Sequence, residues 1–289
     1  MPQVVTRRAV IGGLAQTCHP GPTVAVTALT ALLALGSRPG STASVPADPT
    51  GVLWSGPSLV LLVSAAVLAG QLSIGWSNDL VDARRDREAH RQDKPLARGQ
   101  LPVRAVRVAI VGALVASVLL SAALGWRAAL VHLVLVVGSG WAYNLGLKPT
   151  VWSWVPYAVA FGSLPAVVWL AGPQPVWPPV WMTVVGALLG VGAHLLNVLP
   201  DLVEDERAGV RGLPHRLGER RVRVLGPLLL LCGSVVVTLA PAGPVPWWAW
   251  AVLTLCLALA VVAWSTRGRT PFAAAIGIAL LDVAGLVLR

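Results

Sequence analysis

The chain has 289 residues, of which 56% are hydrophobic and only 12% are charged, and its mean hydropathy is +0.73. Soluble domains carry about 25% charged residues, so this composition is typical of a protein embedded in a bilayer. The formal net charge of +10 would suit nucleic-acid binding, but the basic residues lie mainly between apolar stretches. That arrangement is typical of membrane topology and contact with anionic lipid, and we expect no nucleic-acid partner.

Nine apolar stretches of about the length that a bilayer requires run through the chain. They predict spans at 21–37, 58–80, 104–124, 127–147, 151–171, 178–200, 222–241, 246–265 and 271–288. All of the 22 Lys and Arg residues except Arg38, Arg127 and Arg289 lie in alternate connections. Because positive residues are retained on the cytoplasmic side, we expect the N-terminus inside, the C-terminus outside and a multi-pass protein of the plasma membrane. The sequence therefore predicts an all-α polytopic fold with a single membrane-embedded domain over residues 1–289.

Two predicted spans end in acidic stripes on the same side of the membrane. The polar residues that share one helix face there are Asn78, Asp82 and Asp86 in the second span and His194, Asn197, Asp201 and Asp205 in the sixth. The shared face follows from the spacing, because residues three or four positions apart are neighbours on a helix. Each stripe is followed by a segment rich in arginine.

Stacked carboxylates near hydrocarbon repel one another, so a positive partner is expected close by. Mg²⁺ suits this position, because it prefers oxygen ligands and is often bound by a few carboxylates together with substrate phosphates. Two acidic helix ends could hold a diphosphate between them through Mg²⁺, with nearby Lys and Arg residues adding positive charge. The simpler interpretation is that the acids only pair with the adjacent arginines, but it does not explain two such stripes on one side.

These residues resemble the signatures of the UbiA superfamily of intramembrane prenyltransferases, which read N-D-x-x-D-x-x-x-D and D-x-x-x-D. In this chain they are residues 78–86 and 201–205. Residues 93–99 are similar to the family's basic-Pro-Leu-x-x-Gly segment, and residues 209–218 are similar to its G-x-x-T-L-P-x-x-x-G segment. Together with residues 143–148, the resemblance runs through almost the whole chain.

The resemblance implies a bundle of about nine transmembrane helices around a central cavity open to lipid, capped by cytoplasmic loops at about 83–103 and 202–221. The implied metal ligands are Asn78, Asp79, Asp82, Asp86, Asp201 and Asp205. The implied diphosphate partners are Asn78, Lys94, Lys148 and Arg211. The expected catalytic residues are Asp82, Asp205, Tyr143 and His194. Tyr143 would face a cationic intermediate, and His194 is the candidate base. The chain departs from many relatives at Gly212, where they have Thr, so contacts to the acceptor cannot be copied from the family.

The predicted function is Mg²⁺-dependent transfer of a prenyl group from a prenyl diphosphate to an unidentified acceptor within the membrane. The main alternative is cyclisation of the same diphosphate without an acceptor. An ion- or proton-coupled transporter is a further alternative, but the acids cluster at one membrane face instead of the midplane, and no broken helix is predicted at corresponding points of two halves. A CDP-alcohol phosphotransferase would need a D-G pair followed by A-R, which neither acidic helix contains. The prenyl chain length stays open.

Overall fold

The structure is a computed structural model that describes residues 6–36, 56–88, 91, 94–207 and 209–289. The described residues form helices and no strands. In chain order the helices are α1 Arg7–Thr17, α2 Pro20–Gly36, α3 Gly56–Glu88, α4 Val103–Ala123, α5 Trp126–Leu147, α6 Val155–Trp169, α7 Val180–Arg207, α8 Leu213–Leu217, α9 Glu219–Leu239, α10 Trp247–Ser265 and α11 Thr270–Val287. Some predicted residues lie outside the described ones. They are position 37 of the first predicted span and residues 89–90, 92–93 and 208 of the predicted cap loops, of which Asp93 also begins the segment that resembles the family.

Seven of the described helices, α3, α4, α5, α7, α9, α10 and α11, are long and apolar enough to cross a bilayer. An eighth span would combine α1 with α2, but these two helices are bent by 67° at the break between them. The remaining apolar helix, α6, has only 15 residues. Each of the nine predicted spans coincides with one described helix, of which α2 and α6 are shorter than a full crossing. The predicted all-α polytopic fold is therefore confirmed, and its opening toward lipid stays a prediction.

The helices pack as a ring in which most sequence neighbours are also neighbours in space. The contacts run from α2 through α3, α4, α5, α6, α7, α9 and α10 to α11, and α11 closes the ring against α2. Contacts between α7 and α11 cross the interior. The core that fills the ring is apolar and includes Val67, Val167, Leu196, Leu230 and Ile278, each almost completely buried. This arrangement brings the acidic ends of α3 and α7 to one end of the bundle.

Glycines allow α7 to approach its neighbours closely. A Cβ atom added at Gly186 would lie 2.4 Å from the carbonyl oxygen of Phe161, and one at Gly190 would lie 2.6 Å from that of Tyr157. On the other side, a Cβ atom at Gly192 would lie 2.9 Å from the carbonyl oxygen of Gly226. Small residues at such contacts are typical of membrane helices, where close van der Waals packing stabilises association. The contacts fix the height and rotation of α7 against α6.

The segment between α3 and α4 is held by a small second core. Leu96 and Leu101 are 4% and 2% exposed and pack against Ala83, Val106 and Ile110. The amphipathic α1 covers this core through apolar side chains, and the Trp76 indole N–H donates a hydrogen bond to the carbonyl oxygen of Leu14 at 2.9 Å. Burying two leucines stabilises the segment by roughly 3–6 kcal/mol. The basic residue just before Leu96, Lys94, is thereby given a defined position.

Candidate active site at the acidic helix ends

The acidic stripe of α3 lies on the buried face of a continuous helix. Asp79, Asp82 and Asp86 are 2%, 8% and 6% exposed. The helix continues to Glu88, beyond the position at which the sequence predicted a cap loop to begin, so all three carboxylates are presented from one rigid element. A helical spacing of three and four residues places them on one side, so Asp79 joins the predicted stripe of Asn78, Asp82 and Asp86.

Asp79 is held by two nitrogen groups that come from different parts of the chain. Lys94 Nζ donates to Asp79 Oδ1 at 2.5 Å, and His19 Nε2 lies 3.0 Å from the same oxygen. The second carboxylate oxygen, Oδ2, is buried and has no hydrogen-bond partner. A buried carboxylate oxygen without a partner is costly and is explained most simply by a ligand that binds there.

His19 reaches Asp79 because the chain breaks between α1 and α2. His19 has a φ of 54°, which is in the left-handed region that residues other than glycine seldom adopt. The preceding carbonyl of Cys18 lies against Gly75 of α3, where an added Cβ atom would approach the carbonyl oxygen to 2.3 Å. Only glycine at position 75 permits this contact, which brings the imidazole of His19 over the acidic stripe.

Asp82 is paired with Lys148, which follows α5. Lys148 Nζ donates to Asp82 Oδ2 at 2.6 Å, and Arg85 NH2 lies 2.7 Å from the same oxygen. The side chains of Lys148 and Asp82 are only 15% and 11% exposed, so solvent screens this ion pair weakly. The structure thus places the predicted diphosphate partner Lys148 directly on the predicted metal ligand Asp82.

A π-helical turn at the end of α5, Tyr143–Leu147, shapes the site between α3 and α7. Such turns add one residue to the helical repeat and are frequent at functional sites. Within this turn, Asn144 accepts a hydrogen bond at its Oδ1 atom from Asn78 Nδ2 at 3.0 Å. The Asn144 amide also donates to the Ser77 hydroxyl at 2.8 Å and to the Ile74 carbonyl at 2.9 Å. Asn78 is therefore oriented by α5.

The acidic end of α7 is more open than that of α3. Arg91, from the segment after α3, lies 3.4 Å from Glu204 and 4.0 Å from Asp201, and so joins the two acidic ends. Asp205 lies 3.8 Å from Nε2 of His215 on α8, which is too long for a hydrogen bond. Burial lowers the pKa of His215, and the positive charge of Lys148 adds to this effect while Asp205 opposes it. His215 is thus close to the carboxylate of Asp205 and feels the positive charge of Lys148.

An aromatic cluster lies on the inner side of the acidic groups. The Tyr157 ring stacks on the His194 imidazole with centroids 4.3 Å apart, and Tyr143 meets Tyr157 edge-to-face at 5.2 Å. Phe161 continues the stack, 6.4 Å from Tyr157. The faces of such rings attract positive charge, so the cluster suits a cationic group held near the acids.

His194 is fixed at one nitrogen and free at the other. Its Nε2 atom lies 3.3 Å from the Ser153 hydroxyl, which accepts a hydrogen bond from the Leu213 backbone N–H at 3.0 Å. Its Nδ1 atom is buried without a partner. Gly212 makes this junction possible, because a Cβ atom there would lie 2.7 Å from the carbonyl oxygen of Lys148. The departure from threonine noted in the sequence therefore allows two backbone segments to meet beside Lys148.

The structure brings most of the predicted site residues together. The exceptions are Arg211, which is exposed and forms no ion pair among the described residues, and Asp86, whose buried carboxylate forms no ion pair with them. In the part of the chain that the structure describes, no three His, Cys, Asp or Glu side chains converge closely enough to hold a metal ion by themselves. A metal here would need ligands from a bound substrate as well.

Several polar residues of the site were not predicted. They are His19, Asn144, Ser153, Tyr157 and His215. Three had a usable signal, because Asn144 and His215 lie in segments that resemble the family and Tyr157 is four residues from Phe161 on one helix face. His19 and Ser153 reach the site only through contacts between distant parts of the chain. A further acid, Asp282, lies inside the span α11, away from this site.

The fold and the site define a helical membrane protein with two acidic helix ends, each close to basic groups. A model of the UbiA prenyltransferase family matches residues 24–278. The match covers most of the sequence, so the chain belongs to the UbiA prenyltransferase family. A comparison with curated protein sequences gives no match.

Solved structures of similar fold cover nearly all of the chain. A UbiA homolog from Archaeoglobus fulgidus bound to GPP and Mg²⁺ is 15% identical with a TM-score of 0.68, covering 96% of this chain and 100% of that one. An apo UbiA homolog from Aeropyrum pernix K1 is 14% identical with a TM-score of 0.69, covering 93% and 98%. A digeranylgeranylglyceryl phosphate synthase is 16% identical with a TM-score of 0.63, covering 96% and 97%. At these identities the likeness establishes the fold.

Proposed function

We propose that this protein transfers a prenyl group from a prenyl diphosphate to an acceptor within the membrane, in a reaction that depends on Mg²⁺. The observation that carries the proposal is the pairing of Asp82 with Lys148, beside His215 and Asp205 of the second acidic end. We infer that the carboxylates of both acidic ends would hold the metal and that the lysines beside them would bind the diphosphate. The aromatic cluster adjoins it.

The acidic groups of α3 suit Mg²⁺ by their chemistry. Asp79 has a buried oxygen without a partner, and Asp86 is buried beside it on the same stripe. Mg²⁺ commonly takes one or two carboxylates together with waters and substrate phosphates, which fits a site where protein ligands alone do not converge. We propose Asn78, Asp79, Asp82, Asp86, Asp201 and Asp205 as the residues that hold it. When bound, the ion would neutralise charge on the departing diphosphate.

The lysines are proposed to exchange partners when substrate binds. Lys94 and Lys148 now donate to Asp79 and Asp82, and their ammonium groups are compact cations on flexible stems. A diphosphate that enters with its metal can take these donors over, while the carboxylates turn to the metal. We propose Asn78 and Arg211 as further diphosphate contacts. Preorganised donors of this kind stabilise the charge that develops on the leaving group.

The prenyl cation is proposed to form against the aromatic cluster. The faces of Tyr143 and Tyr157 would stabilise its positive charge, and the apolar core beyond Phe161 would exclude water. His194 is our candidate for accepting the acceptor's proton, because its Nδ1 atom is buried and unpartnered. The acceptor is unidentified. We place the acidic ends on the cytoplasmic side of the plasma membrane, as the distribution of basic residues predicts.

The test is diphosphate release from farnesyl and geranylgeranyl diphosphates by the purified protein in lipid nanodiscs, with Mg²⁺ or with EDTA. We expect release to require Mg²⁺ and to fall by about 10²–10³-fold in Asp82→Asn and in Asp205→Asn. Glu88→Gln is the matched control, because its side chain is 66% exposed at the same end of α3. If the wild-type protein releases no diphosphate from either compound, with or without candidate acceptors, the proposal is wrong. Analysis of the products separates transfer from cyclisation.

A further inference from the structure

His19 stands at the break between α1 and α2, 60 positions before Asp79 in the chain. Its Nε2 atom lies 3.0 Å from Asp79 Oδ1, and this nitrogen carries the hydrogen, because an ionised carboxylate only accepts. The side chain of Asp79 is 1% exposed and that of His19 is 39% exposed. The imidazole thus reaches from a half-exposed position to a buried carboxylate.

The backbone at His19 is held on both sides in a conformation that is seldom adopted. Its φ of 54° is left-handed. The Thr23 hydroxyl donates to the Cys18 carbonyl at 2.8 Å, and the Thr23 N–H donates to the His19 carbonyl at 3.1 Å. The Cys18 carbonyl also lies against Gly75 of α3. Backbone strain of this kind persists only where the surroundings enforce it, and it is concentrated at functional sites.

The two carboxylate oxygens of Asp79 have different surroundings. Lys94 Nζ and His19 Nε2 both donate to Oδ1, at 2.5 Å and 3.0 Å, and these nitrogens lie 3.4 Å from each other. Oδ2 is buried and has no hydrogen-bond partner among the described residues. Two donors on Oδ1 fix the rotation of the carboxylate, and Oδ2 is left as the oxygen that a ligand can take.

The two donors to Oδ1 differ in their freedom to move. Lys94 is a compact cation on a flexible stem, and it is one of the lysines proposed to turn to the diphosphate. The His19 imidazole has only two rotatable bonds, and its backbone is held by α2 and α3. After Lys94 has turned away, His19 is therefore the donor that stays on Oδ1.

From this geometry we propose that His19 is a positioning residue, which holds Oδ1 of Asp79 and so presents Oδ2 to the metal of magnesium diphosphate. It acts through Asp79 and touches neither the metal nor the substrate. Groups that orient a metal ligand typically contribute 10–100-fold to metal affinity or activity. The inference rests on the proposed function for the identity of the ligand, but it concerns binding and not the transfer of the prenyl group.

The experiment compares His19→Met with His19→Gln. The two new side chains have the same length and a similar shape, but only glutamine can donate a hydrogen bond to Asp79. Each protein in nanodiscs is titrated with magnesium diphosphate, and binding is followed by the rise in unfolding temperature. We expect His19→Met to weaken binding by about tenfold or more, and His19→Gln to restore it to within about threefold of the wild type.

A double-mutant cycle with Asp79→Asn tests whether His19 acts through that carboxylate. In the Asp79→Asn background, we expect His19→Met to change the affinity by less than about twofold, because the carboxylate that it orients is gone. Gln16→Met is the matched control, since it exchanges an amide for a thioether at an exposed position of α1 and should leave binding unchanged. Equal losses from His19→Met in both backgrounds would contradict the positioning role.

His19→Asn provides the test if His19→Met does not fold. Asparagine tolerates a left-handed backbone well, but its amide ends one bond short of the Nε2 position, so we expect a folded protein with about tenfold weaker binding. Wild-type protein that does not bind magnesium diphosphate, or equal affinities in His19→Met and His19→Gln, would overturn the proposal. Failure of prenyl transfer is a separate result. A protein that shows these affinities but releases no diphosphate from prenyl diphosphates would retain the positioning residue and contradict only the proposed reaction.

Discussion

Lys148 Nζ lies 2.6 Å from Oδ2 of Asp82, although the two residues are 66 positions apart in the chain. The pair joins α3 to the end of α5, and it places a cation on a predicted metal ligand before any metal is present. A substrate that carries both negative charge and metal satisfies the two partners separately. This relationship pairs Asp82 at the acidic end of α3 before any ligand binds, whereas Oδ2 of Asp79 is left without a partner.

Replacing Lys148 by Met should reduce diphosphate release by about 10²-fold or more, because a donor aimed at the leaving group is lost. Lys148→Arg should retain part of the activity, since it keeps the charge. The matched control is Arg84→Met, which removes a positive charge that is 88% exposed on α3, the helix of Asp82, and should change release by less than about twofold. Equal losses in Lys148→Met and Arg84→Met would show that net charge, and not this contact, matters.

Mg²⁺ alone should stabilise the protein very little, because the lysines already neutralise the acids and no described protein ligands converge on a metal. Mg²⁺ together with inorganic diphosphate should raise the unfolding temperature clearly, by the equivalent of about 2.7 kcal/mol at a hundred times the dissociation constant. Thermal unfolding in nanodiscs with Mg²⁺, diphosphate, both or neither measures this. A large shift with Mg²⁺ alone would mean that the carboxylates form a metal site by themselves.

Gly75→Ala should destabilise the protein by roughly 1–3 kcal/mol, because the new methyl group would overlap the Cys18 carbonyl. Displacing that carbonyl would also withdraw His19 from Asp79, so diphosphate release should fall as well. The control is Gly112→Ala on α4, where an added Cβ meets nothing within 4 Å. Its helix should be unaffected or more stable by up to about 1 kcal/mol. Thermal unfolding of both variants against the wild type decides the matter.

Tyr157→Phe should keep most of the rate of diphosphate release, because the ring face that stacks on His194 is retained. Tyr157→Leu should lower the rate by about tenfold, the size expected when a desolvated ring no longer stabilises a cation. Both rates are measured under saturating Mg²⁺. If Leu performs as well as Phe at this position, the cluster contributes packing alone.

Much of the architecture could be predicted, because hydropathy and helical periodicity are local properties of the sequence. The predicted span 104–124 corresponds to Val103–Ala123, and 222–241 to Glu219–Leu239, which begins three residues earlier. The acids of α3 share a face for the same reason. The span predicted at 151–171 is shorter, Val155–Trp169, because residues 151–154 form turns.

The partners of the acids could not be predicted, since they come from elsewhere in the chain. His19 reaches Asp79 through a break between two helices, and Asn144 reaches Asn78 through a π-helical turn, neither of which leaves a periodic signal. Asp282 is a different case. A single acid in an apolar stretch of 18 residues is visible in the sequence, and it contradicts the expectation that the acids cluster at one membrane face. That part of the case against a transporter was wrong.

The π-helical turns of α5, Val131–Val137 and Tyr143–Leu147, have a consequence for comparing this chain with its relatives. Each turn accommodates one residue more than a regular helix, and one residue corresponds to about 100° of rotation. A relative whose helix is regular here aligns correctly only if a one-residue gap is placed at each of the two turns. Without these gaps, residues of α5 that precede a turn are aligned with residues on a different face of the relative's helix. The alignment of α3 and α7 is not affected.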